Sequence, residues 1–287
     1  MRRACIDIGS NTTRLLVADC DGARLVERYE ARTFTSLGEA LREDGVIPPG
    51  KLDEVCAAVA GQLESARLLG AAEIRCVATA AVRRARNGDA LIERVSGTCA
   101  GLQVELLSSQ DEARLSFLGA MQGLGGEPHG AVIVVDVGGG SCELAVGTLV
   151  DGVTWWASFA LGSSDIAHDF LAGDPPSAHE VEQARECLRE TLKEVEPPPA
   201  ITAIAIGANS LGRLVGPVLD ADTFGSSLKL LLGSSRSDLV ASLGLDLERL
   251  RLLPAGLLIL ESVSKLVGSP LQIVSGGLRE GVLLDSR

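Results

Sequence analysis

The chain has 287 residues, 26 Lys and Arg against 38 Asp and Glu, a formal net charge of -12 and a pI near 4.8. At 46% hydrophobic and 22% charged it has the composition of an ordinary globular protein, and its length suggests two domains or one large one. No apolar run approaches the ~20 residues that cross a bilayer, Asp7 stands where a signal peptide would be apolar, and the acidic balance opposes general nucleic-acid binding, which needs Lys and Arg to displace counterions. A cytoplasmic protein, off the membrane, is expected.

In chain order, Ala4-Cys5-Ile6-Asp7-Ile8-Gly9 is an apolar run ending in Asp-x-Gly, followed by the small polar Ser10, Asn11, Thr12 and Thr13. A second strand-like run covers residues 14–19. Asp21-Gly22 supplies a hairpin signal, and a third run covers 24–32. Residues 49–69 carry Leu52, Val55, Cys56, Val59, Leu63 and Leu68 at helical spacing. A strand over 73–78, a helix over 89–98, a strand over 102–107 and a helix over 110–122 complete this half. Residues 123–130, rich in glycine, read as a linker.

The pattern then repeats. Ala131–Val135 leads into Asp136-Val137-Gly138-Gly139-Gly140-Ser141, so the two aspartates stand 129 positions apart. Strands over 142–147 and 153–161 flank the turn Asp151-Gly152. Helices are predicted over 163–171 and 177–194, and a strand over 201–206. Further helices follow over 226–232, 234–243, 246–250 and 255–267, then a strand over 271–274 and a terminal helix over 281–284. A three-stranded meander followed by alternating helix and strand, done twice, is a duplicated α/β domain. It divides as 1–122, the linker 123–130 and 131–287, with the two Asp-Gly loops facing across a cleft suited to a phosphate chain.

Seven scattered cysteines form no CxxC pair and read as small buried hydrophobes in a reducing compartment. The three histidines are too dispersed for an imidazole metal site. Residues 1–120 hold 15 basic and 17 acidic residues, residues 121–287 hold 11 and 21, so a basic site belongs in the first half.

Glycines after a strand let backbone N–H groups approach phosphate oxygens, and Ser, Asn and Thr add donors. A strand-end carboxylate such as Asp7 or Asp136 can hold Mg²⁺. The bland alternative for residues 7–11 is a tight turn. For 136–143 it is a loose hairpin, which three successive glycines would destabilise. Glu143 lies across that turn and either returns to the same pocket or faces solvent. Glu112 either closes a capping box with Ser109 or takes a proton from an attacking water. Arg83, Arg84 and Arg86 form a solvated basic turn or a phosphate clamp.

Together Asp7-Ile8-Gly9-Ser10-Asn11-Thr12, Ala78-Thr79-Ala80-Ala81-Val82-Arg83, Asp111-Glu112-Ala113-Arg114-Leu115, Asp136-Val137-Gly138-Gly139-Gly140-Ser141-Cys142-Glu143 and Gly276-Gly277-Leu278-Arg279-Glu280-Gly281 resemble the exopolyphosphatase / guanosine pentaphosphate phosphohydrolase (Ppx/GppA) family over essentially the whole chain. The resemblance implies an actin-like ATPase (ASKHA) fold of two RNase-H-like lobes with the active site in the interlobe cleft. It implies Glu112 as the base that activates water. Gly9, Ser10, Asn11, Thr12, Arg83, Gly138, Gly139, Gly140 and Ser141 become phosphate ligands, and Asp136, Glu143 and Asp7 the carboxylates associated with Mg²⁺. Three departures stand out: Ser36 where relatives carry arginine before Leu-Gly-Glu, Cys142 for threonine, and Ala-Asn-Ser after Gly207. The chain looks like a short form lacking the helical C-terminal domain.

The expected activity is release of orthophosphate from inorganic polyphosphate, with short chains favoured by the missing domain and the charge of -12. Guanosine pentaphosphate is the alternative substrate, although few aromatics are present to stack a guanine. A sugar or acetate kinase of the same fold and a non-catalytic polyphosphate- or nucleotide-binding regulator are the rivals. A homodimer is among the expected assemblies.

Overall fold

The computed structural model describes all residues of the chain except 23, 125, 127, 129, 209, 210, 213–215, 245, 286 and 287, and the side chains at 242 and 243. It forms two compact units: Met1–Gly123 with Gly276–Arg287, and Leu124–Ser275.

The first unit is built on strands β1 (Arg2–Ile8), β2 (Thr12–Asp21), β3 (Arg24–Phe34), β4 (Glu73–Ala78) and β5 (Val104–Leu106), in the order β3-β2-β1-β4-β5. β2 is antiparallel to β1 and β3, whereas β4 and β5 run parallel to β1 and to each other. β1 alternates its apolar residues between two cores, as the two-residue period of a strand dictates. Ala4, Ile6 and Ile8 face helices α2 (Pro49–Leu68) and α4 (Gly88–Thr98), through Leu52, Val55, Val59, Leu91 and Val95. Cys5 faces the opposite side, where Leu115 of α5 (Ser109–Gly123) and Val282 and Leu283 of α11 (Leu278–Leu284) close the second core. Two short helices, α1 (Leu37–Ala40) and α3 (Ala80–Arg84), follow β3 and β4; neither is long enough for a hydrophobic period to mark it in the sequence.

The second unit repeats the plan. Strands β6 (Val132–Val137), β7 (Cys142–Thr148), β8 (Gly152–Phe159), β9 (Thr202–Ile206), β10 (Val218–Leu219) and β11 (Leu271–Ile273) lie in the order β10-β11-β9-β6-β7-β8. Apart from the added edge strand β10, the order and directions match those of the first sheet. This is the RNase-H-like topology, present twice. Even the irregularities recur: the register of β2 and β3 shifts between Val17 and Ala18, that of β7 and β8 between Val146 and Gly147, again 129 positions apart. Helices α6 (Ser163–Phe170), α7 (Ala178–Leu192), α8 (Ala221–Leu232), α9 (Arg236–Leu243) and α10 (Leu247–Val267) contribute to one core with this sheet.

Two expectations change. Pro254 does not separate two helices; it is buried inside the single helix α10. An internal proline removes one backbone hydrogen bond and crowds the preceding turn, but Leu250, Leu253, Leu257, Leu258, Leu260 and Val263 are all buried around it, and their burial outweighs that cost. The second difference concerns residues 276–287, which the sequence-based division assigns to the second half and which pack in the first unit. A Cβ at Gly119 would collide with the Gly277 carbonyl, and one at Gly281 with the Leu115 carbonyl. Backbone meets backbone there, α5 against the segment carrying α11. Arg114 then donates two hydrogen bonds to Asp285, at 2.9 and 3.2 Å. No helix among the described residues is long and apolar enough to cross a membrane.

Candidate active site

Both glycine loops close in the same way. Gly9 N–H donates to the Thr12 carbonyl at 3.0 Å, and Gly138 N–H to the Ser141 carbonyl at 3.0 Å. A Cβ at Gly9 would stand 3.1 Å from the Thr12 oxygen, and one at Gly138 3.2 Å from the Ser141 oxygen. Glycine suits these positions because the chain doubles back on itself within van der Waals distance.

The loop carbonyls are tied down from behind. In the first unit the Ser10 carbonyl accepts from Gly38 N–H at 2.7 Å, and the Asn11 carbonyl from the Thr35 and Ser36 N–H groups at 3.0 Å. Ser36 reaches that position at φ 42, the one non-glycine with positive φ among the described residues, so strain is stored in the segment that buttresses the loop. In the second unit the Gly138 carbonyl accepts from Ser163 N–H at 2.9 Å, and the Gly139 carbonyl from Ser164 N–H at 2.8 Å. Gly162 lies so close to Gly139 and Gly140 that a Cβ would collide with their backbone. A trans peptide holds its C=O and the next N–H in opposite directions. Anchoring the carbonyls of Ser10, Gly138 and Gly139 therefore turns the N–H groups of Asn11, Gly139 and Gly140 away from the buttress, the arrangement of an anion-binding nest.

The two loops differ in the residue opposite the strand-end aspartate. Asp7 pairs across the ladder with Arg14. Asp136 pairs with Glu143. Directly opposed residues of an antiparallel pair share a face, so the second unit sets two carboxylates side by side. Glu143 is buried and accepts a hydrogen bond from Ser158 Oγ at 3.0 Å. Burial, with the charges of Glu143 and Asp136 behind it, pushes the adjacent Cys142 thiol well above its ordinary range. Gly207, at φ 74, lies against Asp136: a Cβ there would stand 3.7 Å from Oδ1. Of the 207–210 segment, Asn209 and Ser210 lie outside the described residues.

Asp7 has a different neighbourhood. Burial lowers the Arg14 pKa, and the charge of Arg279 lowers it further, while Glu30 and Asp7 oppose the shift. Arg279 is buried as well. It donates to the Leu15 carbonyl at 3.3 Å and to Glu30, which also accepts from Arg14 at 3.0 Å. Burial would lower the Arg279 pKa, but Glu280, Glu30 and Asp7 together raise it. Arg279 was legible only as part of a terminal motif; its contact with the first sheet depends on the packing of α11.

These carboxylates fit a hard divalent cation. Among the described residues no group of three or more His, Cys, Asp and Glu could hold a metal, so Asp136 and Glu143 would supply two oxygen ligands and leave the remainder to water and phosphate. That is the usual way proteins bind Mg²⁺.

Glu112 lies one turn into α5 and is buried. The capping contacts at this helix fall one residue earlier than the sequence pattern suggests: Asp111 N–H donates to Ser108 Oγ at 3.1 Å, and Ser108 Oγ donates to Asp111 Oδ2 at 2.6 Å. Glu112 instead accepts from Arg83 at 2.8 Å, while the same guanidinium donates to the Leu107 carbonyl at 2.7 Å.

The chain matches the model of the Ppx/GppA phosphatase family over residues 17–287. It is 31% identical to exopolyphosphatase 1 of Mycobacterium leprae, across 99% of this chain and 89% of that protein. The crystal structure of the Aquifex aeolicus Ppx/GppA family member superimposes with a TM-score of 0.83 at 28% identity, covering 99% of this chain and 96% of that one. An exopolyphosphatase from Cytophaga hutchinsonii shares the fold, with a TM-score of 0.88 at 23% identity over 99% and 96% of the two chains.

Proposed function

Because the chain belongs to the Ppx/GppA phosphatase family, a family of phosphoanhydride hydrolases, we propose that it is an exopolyphosphatase that releases orthophosphate from the end of short inorganic polyphosphate. The observation that carries this reading is the turn-closed glycine loop, present twice at the same offset with its carbonyls tied back. Exopolyphosphatase 1 of Mycobacterium leprae, similar along nearly the whole chain, supports the substrate class.

In this mechanism each loop is a phosphate ligand in its own unit: the Asn11 N–H with the Ser10 and Thr12 hydroxyls in the first, and the Gly139 and Gly140 N–H groups with the Ser141 hydroxyl in the second. Donors already oriented by the buttress need no reorganisation as charge develops. Glu112 accepts a proton from water as that water attacks the terminal phosphorus in line, and the shortened chain leaves with the bridging oxygen. Asp136 and Glu143 would hold Mg²⁺, whose chemistry there is to neutralise phosphate charge. Asp7, opposite Arg14, serves as a counter-charge within the first unit. The acidic excess of residues 121–287 disfavours tracking of a long polyanion.

Orthophosphate release from short polyphosphate, long polyphosphate and guanosine pentaphosphate, measured in parallel with Mg²⁺, tests the reading. Fastest release from the short chain supports it. Release from the nucleotide alone reassigns the substrate, and release from none of the three overturns the hydrolase.

A further inference from the structure

We infer that Arg83 is a positioning residue for Glu112, acting through that carboxylate and not as a phosphate ligand. This rests on the hydrolase reading above. The sequence pattern puts Arg83 in a basic cluster with Arg84 and Arg86, where a phosphate clamp is the natural expectation. In the structure its guanidinium is committed inward. One terminal nitrogen donates to the Leu107 carbonyl at 2.7 Å, and the other to Glu112 Oε2 at 2.8 Å. The two acceptors bracket the start of α5: Leu107 follows the last residue of β5, and Glu112 closes the first turn of the helix. Arg83 itself belongs to α3, directly after β4, so it ties two elements of the first unit together at the carboxylate.

The geometry explains why arginine stands here. The Glu112 side chain is 6% exposed against 26% for Arg83, so the carboxylate is the more buried partner of the pair. A buried carboxylate is costly unless it is paired and hydrogen-bonded. Arginine's planar fork meets two acceptors at once in a fixed relative geometry, and anchoring one arm on a backbone carbonyl fixes where the other arm holds Oε2. A lysine could match the charge but has no fork with which to bridge both acceptors.

A positioning role predicts a specific kinetic pattern. Arg83→Met lowers kcat for short polyphosphate by on the order of 10²-fold, the effect of misplacing a catalytic group by about an ångström, and leaves KM within about twofold. In a Glu112→Gln background the same substitution changes kcat by less than about threefold, because groups that act as one unit are non-additive. Arg83→Gln, polar but without the guanidinium fork, serves as the second variant should Arg83→Met not fold, and the same pattern is expected of it. A KM raised about tenfold with kcat retained, or an effect that persists in full in the Glu112→Gln background, would overturn the inference and make Arg83 a phosphate ligand. Wild-type protein releasing no orthophosphate would instead sink the hydrolase reading, so the two failures are distinguishable.

Discussion

Asp136 and Glu143 face each other across the β6–β7 ladder, two carboxylates on one face of the sheet. The repeat supplies its own control, because at the same register in the first unit the partner of Asp7 is Arg14. Like charges directly opposed cost a few tenths to ~1 kcal/mol, and a bound divalent cation relieves that repulsion. Glu143→Gln therefore raises the stability of the metal-free protein by roughly 0.2–1 kcal/mol and abolishes the extra stabilisation that Mg²⁺ gives the wild type. Thermal melts with and without Mg²⁺ check both effects. Ser158→Ala, which removes the hydrogen bond to Glu143, weakens Mg²⁺ binding by ~10-fold or more, as loss of a ligand's own partner usually does.

Gly162 has no room for a methyl group, because Gly139 and Gly140 pass against it. Gly162→Ala moves the second loop and lowers orthophosphate release by ~10²-fold. Gly225 is the contrast, a glycine inside α8 where an added Cβ would meet nothing within 4 Å. Gly225→Ala raises stability by roughly 0.5–1 kcal/mol and leaves activity unchanged. Turnover and urea midpoints, measured for both variants, separate the two behaviours.

Much of this arrangement is legible in the sequence, and the repeat is the reason. A strand, an Asp-x-Gly turn and a second strand, found twice 129 positions apart, mark the duplicated meander and the positions of both glycine loops. The legibility ends where register and distant packing decide. Counting back from the β7–β8 turn, where Thr148 pairs with Gly152, places Ala157 opposite Glu143; the bulge at Val146 and Gly147 moves the partner to Ser158. Ser109 fits a capping box with Glu112, but Ser108 makes the capping contact, which leaves Glu112 to Arg83. The buried Arg279 depends on α11 joining the first unit, and no local pattern in the chain encodes that choice.

Glu180 predicts an acid limb of stability. Its carboxylate accepts from the N–H groups of Ser177 and Gly173 at 2.7 and 2.8 Å. These bonds, led by that from the Ser177 backbone, hold its pKa at about 2 against an ordinary 4.5. A depressed folded-state value stabilises the protein above the unfolded pKa, and the contribution is lost as pH falls through the folded one. Here the window runs from about 4.5 down to about 2. Glu180→Gln flattens the fall of melting temperature with pH across that window, relative to wild type.

All seven cysteines are free, and six are buried, leaving Cys187 half-buried. A water-soluble disulfide reagent therefore titrates one thiol rapidly in the native protein and all seven after denaturation. Cys187→Ser removes the fast phase.

We propose that Glu112 activates water against a terminal phosphate. Its most direct test is orthophosphate release from short polyphosphate by the wild type and by Glu112→Gln, with melting temperatures measured alongside. The expected result is turnover reduced by ~10²–10⁴-fold in a variant that still folds. Equal turnover in the two proteins would contradict it.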